Sequence, residues 1–132
     1  MSGCYRCDWF REGDAGNICR IRGLGHYDVS KAREIVKRAR RKAQTVSPRT
    51  LSRLVHGDVY EPHVAHVNTR KAGIMMTVET DDGLEQHLIE GKHRAMRAIR
   101  SNRPFRVYNL TAKEAQQVFI GKRAPNGMRF RS

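Results

Sequence analysis

Apolar residues along this chain recur with two periods, and the switch between them outlines the elements. Between residues 31 and 43, Ala32, Ile35, Val36, Ala39 and Ala43 fall at helical spacing, which predicts an amphipathic helix that Asp28 or Ser30 can cap. Ser47 ahead of Pro48 predicts a short second helix through Leu51, Leu54 and Val55, with Gly57 to stop it. Pro62 can open one more turn through Val64, Ala65 and Val67. The runs 73–80 (GIMMTVET) and 84–90 (LEQHLIE), joined by Asp81, Asp82 and Gly83, predict a β-hairpin around an Asp-Gly turn. Gly91 breaks the second run, and 92–101 reads as a helix with Ala95, Ala98 and Ile99 on its apolar side. A strand at 104–110 (PFRVYNL) follows, and Thr111 with Glu114 forms a capping box for a last helix to about Ile120.

The predicted order is α, α, short α, β, β, α, β, α, which places the chain in the mixed α/β (α+β) class, a small mixed sheet with helices. Residues 1–27 show no clear periodicity and read as an irregular arm, 28–120 as the domain, and 121–132 as a loose basic tail. A length of 132 residues and 39% hydrophobic content suit one modest core and no second folding unit. The longest apolar run is far below the roughly 20 residues that cross a bilayer, and residues 1–20 carry no basic-then-apolar leader. The expectation is a soluble, cytoplasmic protein with no membrane partner.

Charge sharpens this picture. Lys and Arg number 26 against 13 acidic residues, a formal net charge of +13. Residues 20–53 hold 11 basic and 2 acidic side chains, residues 54–90 hold 2 and 7, and 91–106 hold six basic and none acidic. Such focused charge suits a polyanion, although it also fits a basic shell serving solubility. Lys37, Arg38, Arg41 and Lys42 cover the exposed arc of the first helix, which makes them candidate contacts to nucleic-acid phosphates, on DNA or RNA.

The junction Glu90-Gly91-Lys92-His93-Arg94 carries the densest candidate chemistry. Unsatisfied N–H groups and the positive dipole end at a helix N-terminus favour an anion, and glycine admits it closely. Gly91, Lys92, His93, Arg94 and Arg97 are the candidate phosphate or nucleotide ligands, with Arg94 the principal side chain. Glu90 and His93 are the candidate acid–base pair, and Glu90 could hold magnesium beside a nucleoside triphosphate.

The segment Leu88 to Ile99 (LIEGKHRAMRAI) resembles the defining segment of the ParB/sulfiredoxin-like superfamily, written GERR in ParB and DGHHR in many small relatives. Gly91, His93, Arg94, Ala95 and Ala98 match, Glu90 replaces the aspartate and Lys92 the first histidine. Residues 103–114 (RPFRVYNLTAKE) also resemble those relatives, and the likeness spans roughly 60–120. The resemblance implies a small α/β fold that binds nucleotide phosphates at this turn. Its members hydrolyse or transfer phosphate, clamp DNA under cytidine triphosphate control, cut nucleic acid or reduce sulfinic acid. Lys92 stands where sulfinic acid reduction needs the cysteine of an FGGCHR-like motif, and neither an ENxQR segment nor a helix-turn-helix extension follows. A stand-alone phosphate-binding domain acting with nucleic acid is what remains. Its alternatives are a non-enzymatic, sequence-independent DNA- or RNA-binding protein and a ParB-like nuclease.

Cys4, Cys7, Cys19 and His26 are a loose tetrahedral set for zinc, against which stand a redox CxxC and ordinary buried thiols. His63 and His66, three apart, could meet a metal, against which stands the reading of solvated side chains.

Overall fold

The computed structural model describes residues 18–55 and 59–122, and the backbone of 130–131. Strands β1 (Ile18–Ile21) and β2 (Gly25–Asp28) pair antiparallel, Ile18 opposite Asp28 and Ile21 opposite Gly25. Gly23 sits in the turn at φ +86°, a conformation that side-chain-bearing residues avoid. This hairpin corrects the expectation of an irregular arm through residue 27. Its strands have four residues each, too few for alternation to register, and distant segments complete their pairing. Residues 119–120, expected to end the last helix, instead join Gly121 in β7 (Phe119–Gly121) beside β2, while β8 (Phe130–Arg131) runs parallel to β1. The first sheet therefore has the order β7-β2-β1-β8.

Helix α1 (Val29–Arg38) is capped by Asp28, whose Oδ1 accepts the Lys31 N–H at 3.0 Å. It stops at Arg38, short of the expected 43, because Arg40 turns left-handed at φ 47° and Arg41 is drawn toward another element. A short strand, β3 (Gln44–Val46), follows. Helix α2 (Pro48–Leu54) begins as predicted, Ser47 Oγ accepting the Thr50 N–H, and α3 (Glu61–Val64) carries Pro62 in its first turn.

The Asp-Gly hairpin forms as β4 (Gly73–Thr80) and β5 (Gly83–Glu90). Helix α4 (Lys92–Arg100) then carries the chain to β6 (Phe105–Leu110), which pairs parallel with β4, Ile74 opposite Tyr108. Helix α5 (Ala112–Val118) starts from the Thr111–Glu114 capping box. The second sheet reads β3-β6-β4-β5, and with the helices this is a small α+β fold.

Both faces of β4 are covered, which explains its unbroken apolar run. Ile74 and Met76 pack with α1 and α5 through Val29, Ala32, Ala115 and Val118, and with the first sheet through Ile21 and Tyr27. Met75, one residue out of phase, packs with α2 and α4 through Leu51, Leu54, Ala95 and Ala98. Among the described residues no helix is long and apolar enough to cross a membrane.

Candidate functional site

Gly91 opens α4 at φ +94°, with no side chain to cap the helix. Its conformation answers to packing: a Cβ there would lie 3.1 Å from the Gly73 Cα and 3.1 Å from the Arg94 Nη2. β5 thus turns into α4 directly against the start of β4. Lys92, half-buried, begins the first turn, and no acidic residue occupies that turn.

Arg94 does not reach outward. Its Nε donates to the Lys71 carbonyl at 3.1 Å and its Nη2 to the Ala72 carbonyl at 3.2 Å. Burial pushes the guanidinium below its usual range, with Glu90 opposing that shift and Arg33 adding to it. Arg94, expected as the principal ligand, braces the loop before β4 through these two bonds. Arg97 does similar work, donating to the Val67 carbonyl at 3.2 Å, and from β6 the exposed Arg106 donates to the Arg70 carbonyl at 2.7 Å. Three cations from two elements thus hold four carbonyls of residues 67–72.

Glu90 is 4% exposed, and its Oε1 accepts the Arg33 Nε–H at 2.5 Å in an ion pair that ties α1 to the end of β5. A carboxylate already between the Arg33 and Arg94 charges is poorly placed for magnesium, so the residues present do not fit that ion. His93 is also buried, and its Nε2 accepts the Tyr60 N–H at 3.0 Å, which commits that nitrogen's lone pair. Its ring lies edge-on to His63, centroids 4.8 Å apart, and His63 in turn meets His66. Glu90 and His93, the expected acid–base pair, thus stand buried, each with a partner from another element or loop.

The candidate row on the first helix is divided. Lys37, Arg38 and Lys42 are exposed, Arg38 paired with Glu34 one turn back. Arg41 lies beyond the helix end and grips Glu114 with both Nη atoms, at 2.5 and 2.7 Å, while donating to the Asn109 carbonyl at 2.9 Å. Its charge is spent inside the fold, which corrects its assignment as a phosphate contact. Cys4 and Cys7 lie outside the described residues. Cys19 stands opposite Tyr27 and His26 opposite Arg20, so alternation sends the Cys19 and His26 side chains to opposite faces of one ribbon. They do not converge as zinc ligands, and among the described residues no group of three or more metal-ligating side chains does. His26 Nδ1 instead donates to the Gly121 carbonyl at 3.2 Å.

Arg70, Lys71 and Arg106 are not among the candidate ligands that the sequence singles out. The first two are the only basic residues in the acidic stretch 54–90, and the adjoining pair was the available signal. That stretch separates in space. Glu79, Asp81, Asp82 and Glu85 sit at the tip of the β4–β5 hairpin, while Gly73 and Glu90 mark its other end. Eight-residue strands put those ends about 25 Å apart, some three Debye lengths of about 8 Å at physiological salt. The acidic tip does not neutralise the basic end. Comparison with family models, curated proteins and solved structures finds no match to this chain.

Proposed function

We propose that the chain binds phosphate groups of a nucleic acid or nucleotide at the end of the second sheet where β5 turns into α4. The observation that carries this reading is the uncancelled charge there. Arg94, Arg97 and Arg106 bond to main-chain carbonyls, which are neutral acceptors and leave their charge, and Glu90 is already paired with Arg33. The amino end of α4, without a side-chain cap, adds its dipole to the same place. The ParB/sulfiredoxin-like resemblance, with Gly91, His93 and Arg94 in its motif, implies the same kind of ligand.

The reading is one of binding and not of cleavage, because Glu90 and His93 are held by Arg33 and Tyr60. A second reading, contact through Lys37, Arg38 and Lys42, draws on their exposure along α1 and the turn after it. Calorimetry with a magnesium nucleoside triphosphate, duplex DNA and single-stranded RNA tests the proposal. Wild-type protein is expected to bind a polyanion with affinity that falls steeply as salt rises, by about 0.9 log units per log unit of salt for each phosphate contact on duplex DNA. Heat of binding to none of the three would remove the proposal. Loss of binding on neutralising Lys37, Arg38 and Lys42, with Lys92 and Arg97 substitutions silent, would favour the second reading.

A further inference from the structure

The loop at residues 67–72 is held in an unusual way. Its carbonyls at Val67, Arg70, Lys71 and Ala72 each accept from an arginine, and the loop presents Arg70 and Lys71 to solvent between those same arginines. Bracing a carbonyl requires only a donor, and a neutral amide would supply one. Arg94 and Arg97 from α4 and Arg106 from β6 thus bring three cations to a segment that already carries Arg70 and Lys71, a concentration of positive charge that favours an anion. The braces also fix the backbone, so the two exposed cations meet a ligand with less order to impose on binding.

From this geometry we infer that the braced loop is a contact surface for the sugar–phosphate backbone of a double-stranded nucleic acid, with Arg70 and Lys71 as the side chains that meet phosphate. The inference rests on the reading that this end of the sheet binds phosphate, and it names the partner and the residues. Single strands are held by stacking bases on exposed aromatic rings. Among the described residues Phe105 is buried, Tyr60 and Tyr108 are half-buried, Phe119 lies on the other sheet, and the exposed His66 ring beside the loop is engaged edge-on with His63. The exposed side chains of the loop itself, Asn68, Arg70 and Lys71, are two cations and an amide with no ring among them, which suits a duplex contacted through its charge and without regard to base sequence.

Fluorescence anisotropy over a salt series, with a labelled duplex and with one of its strands alone, tests the inference. The double variant Arg70→Gln, Lys71→Gln should bind duplex about tenfold more weakly, with the salt slope shallower by about 1.8, two phosphate contacts' worth. Arg70→Lys, Lys71→Arg should retain the wild-type slope. Both altered side chains are exposed, and an unchanged melting curve checks that the fold is kept. If the wild type binds duplex and the Gln variant matches it in affinity and slope, the loop assignment is overturned while the phosphate reading of this end stands. Wild-type preference for the single strand overturns the choice of duplex. Wild-type binding to neither strand form and to no nucleotide removes both the inference and the reading beneath it.

Discussion

Glu114 gives one residue a measurable pH signature. The Arg41 guanidinium, bonded to both of its oxygens, holds its carboxyl at about 2 against an ordinary 4.5, while partial burial opposes the shift and the Thr111 N–H supports it. A carboxyl lowered in the folded state contributes stability that is fully present above the unfolded value and is lost as pH falls through the folded one. The window is therefore pH 4.5 down to about 2. With 17% of the Glu114 side chain exposed and 24% of Arg41, solvent screening leaves about 1–2 kcal/mol of the effect. Urea unfolding of wild type and Glu114→Gln between pH 2 and 6 checks it: the variant should be less stable at pH 6, with the difference closing toward pH 2. Parallel pH profiles would show that the pair contributes nothing linked to protonation. The same residue completes the capping box of α5, so sequence reasoning found Glu114 for its local role and missed its long-range partner.

At the scale of elements, the β5–α4 junction is a packing device as well as a candidate anion site. Gly91→Ala introduces a Cβ against the Gly73 backbone and forces a side-chain-bearing residue to φ +94°. A residue held in such a region costs about 1–3 kcal/mol, before the contact with Gly73 is relieved. Denaturant midpoints should fall accordingly. Gly83→Ala offers the comparison, since it also has positive φ, at +115°, but nothing lies within 4 Å of its Cβ position. A smaller loss at Gly91 than at Gly83 would mean that the close approach to β4 is not a constraint. This is also why the junction is better probed for binding through exposed cations than through its glycine.

For the whole molecule, one excess of charge has two effects of opposite sign. At +13 the chain repels itself, so added salt should raise its melting temperature by a few degrees from low ionic strength. Binding to a polyanion should weaken over the same salt range. Melting curves at about 20 and 200 mM salt, near Debye lengths of roughly 20 and 7 Å, measure the first. A fall in melting temperature would show that ion pairs such as Arg41–Glu114 and Arg100–Glu61 outweigh the repulsion. Separation of the acidic hairpin tip from the arginine-braced end makes the excess local, and this locality carries more of the functional argument than the total.

Elements whose determinants are neighbours in sequence were legible without the fold. The Ser47–Pro48 helix start, the Asp82–Gly83 turn and the Thr111–Glu114 box each depend on contacts within a few residues, and each stands where the pattern put it. So did the mixed α+β class and the strand–glycine–helix order around Gly91. Tertiary structure decided what depends on distant partners. The strands of two or three residues at 44–46, 119–121 and 130–131 exist through ladder bonds to remote segments, and the four-residue strands at 18–21 and 25–28, which pair with each other, are too short for periodicity to mark. The destination of each arginine was equally hidden. Arg94 and Arg41 look as cationic in sequence as Lys37 or Arg70, yet the first two spend their donors on a carbonyl pair and a carboxylate, while the latter two stay exposed. Formal charge is a property of composition, but whether it meets solvent or a buried acceptor is settled only when the chain closes on itself.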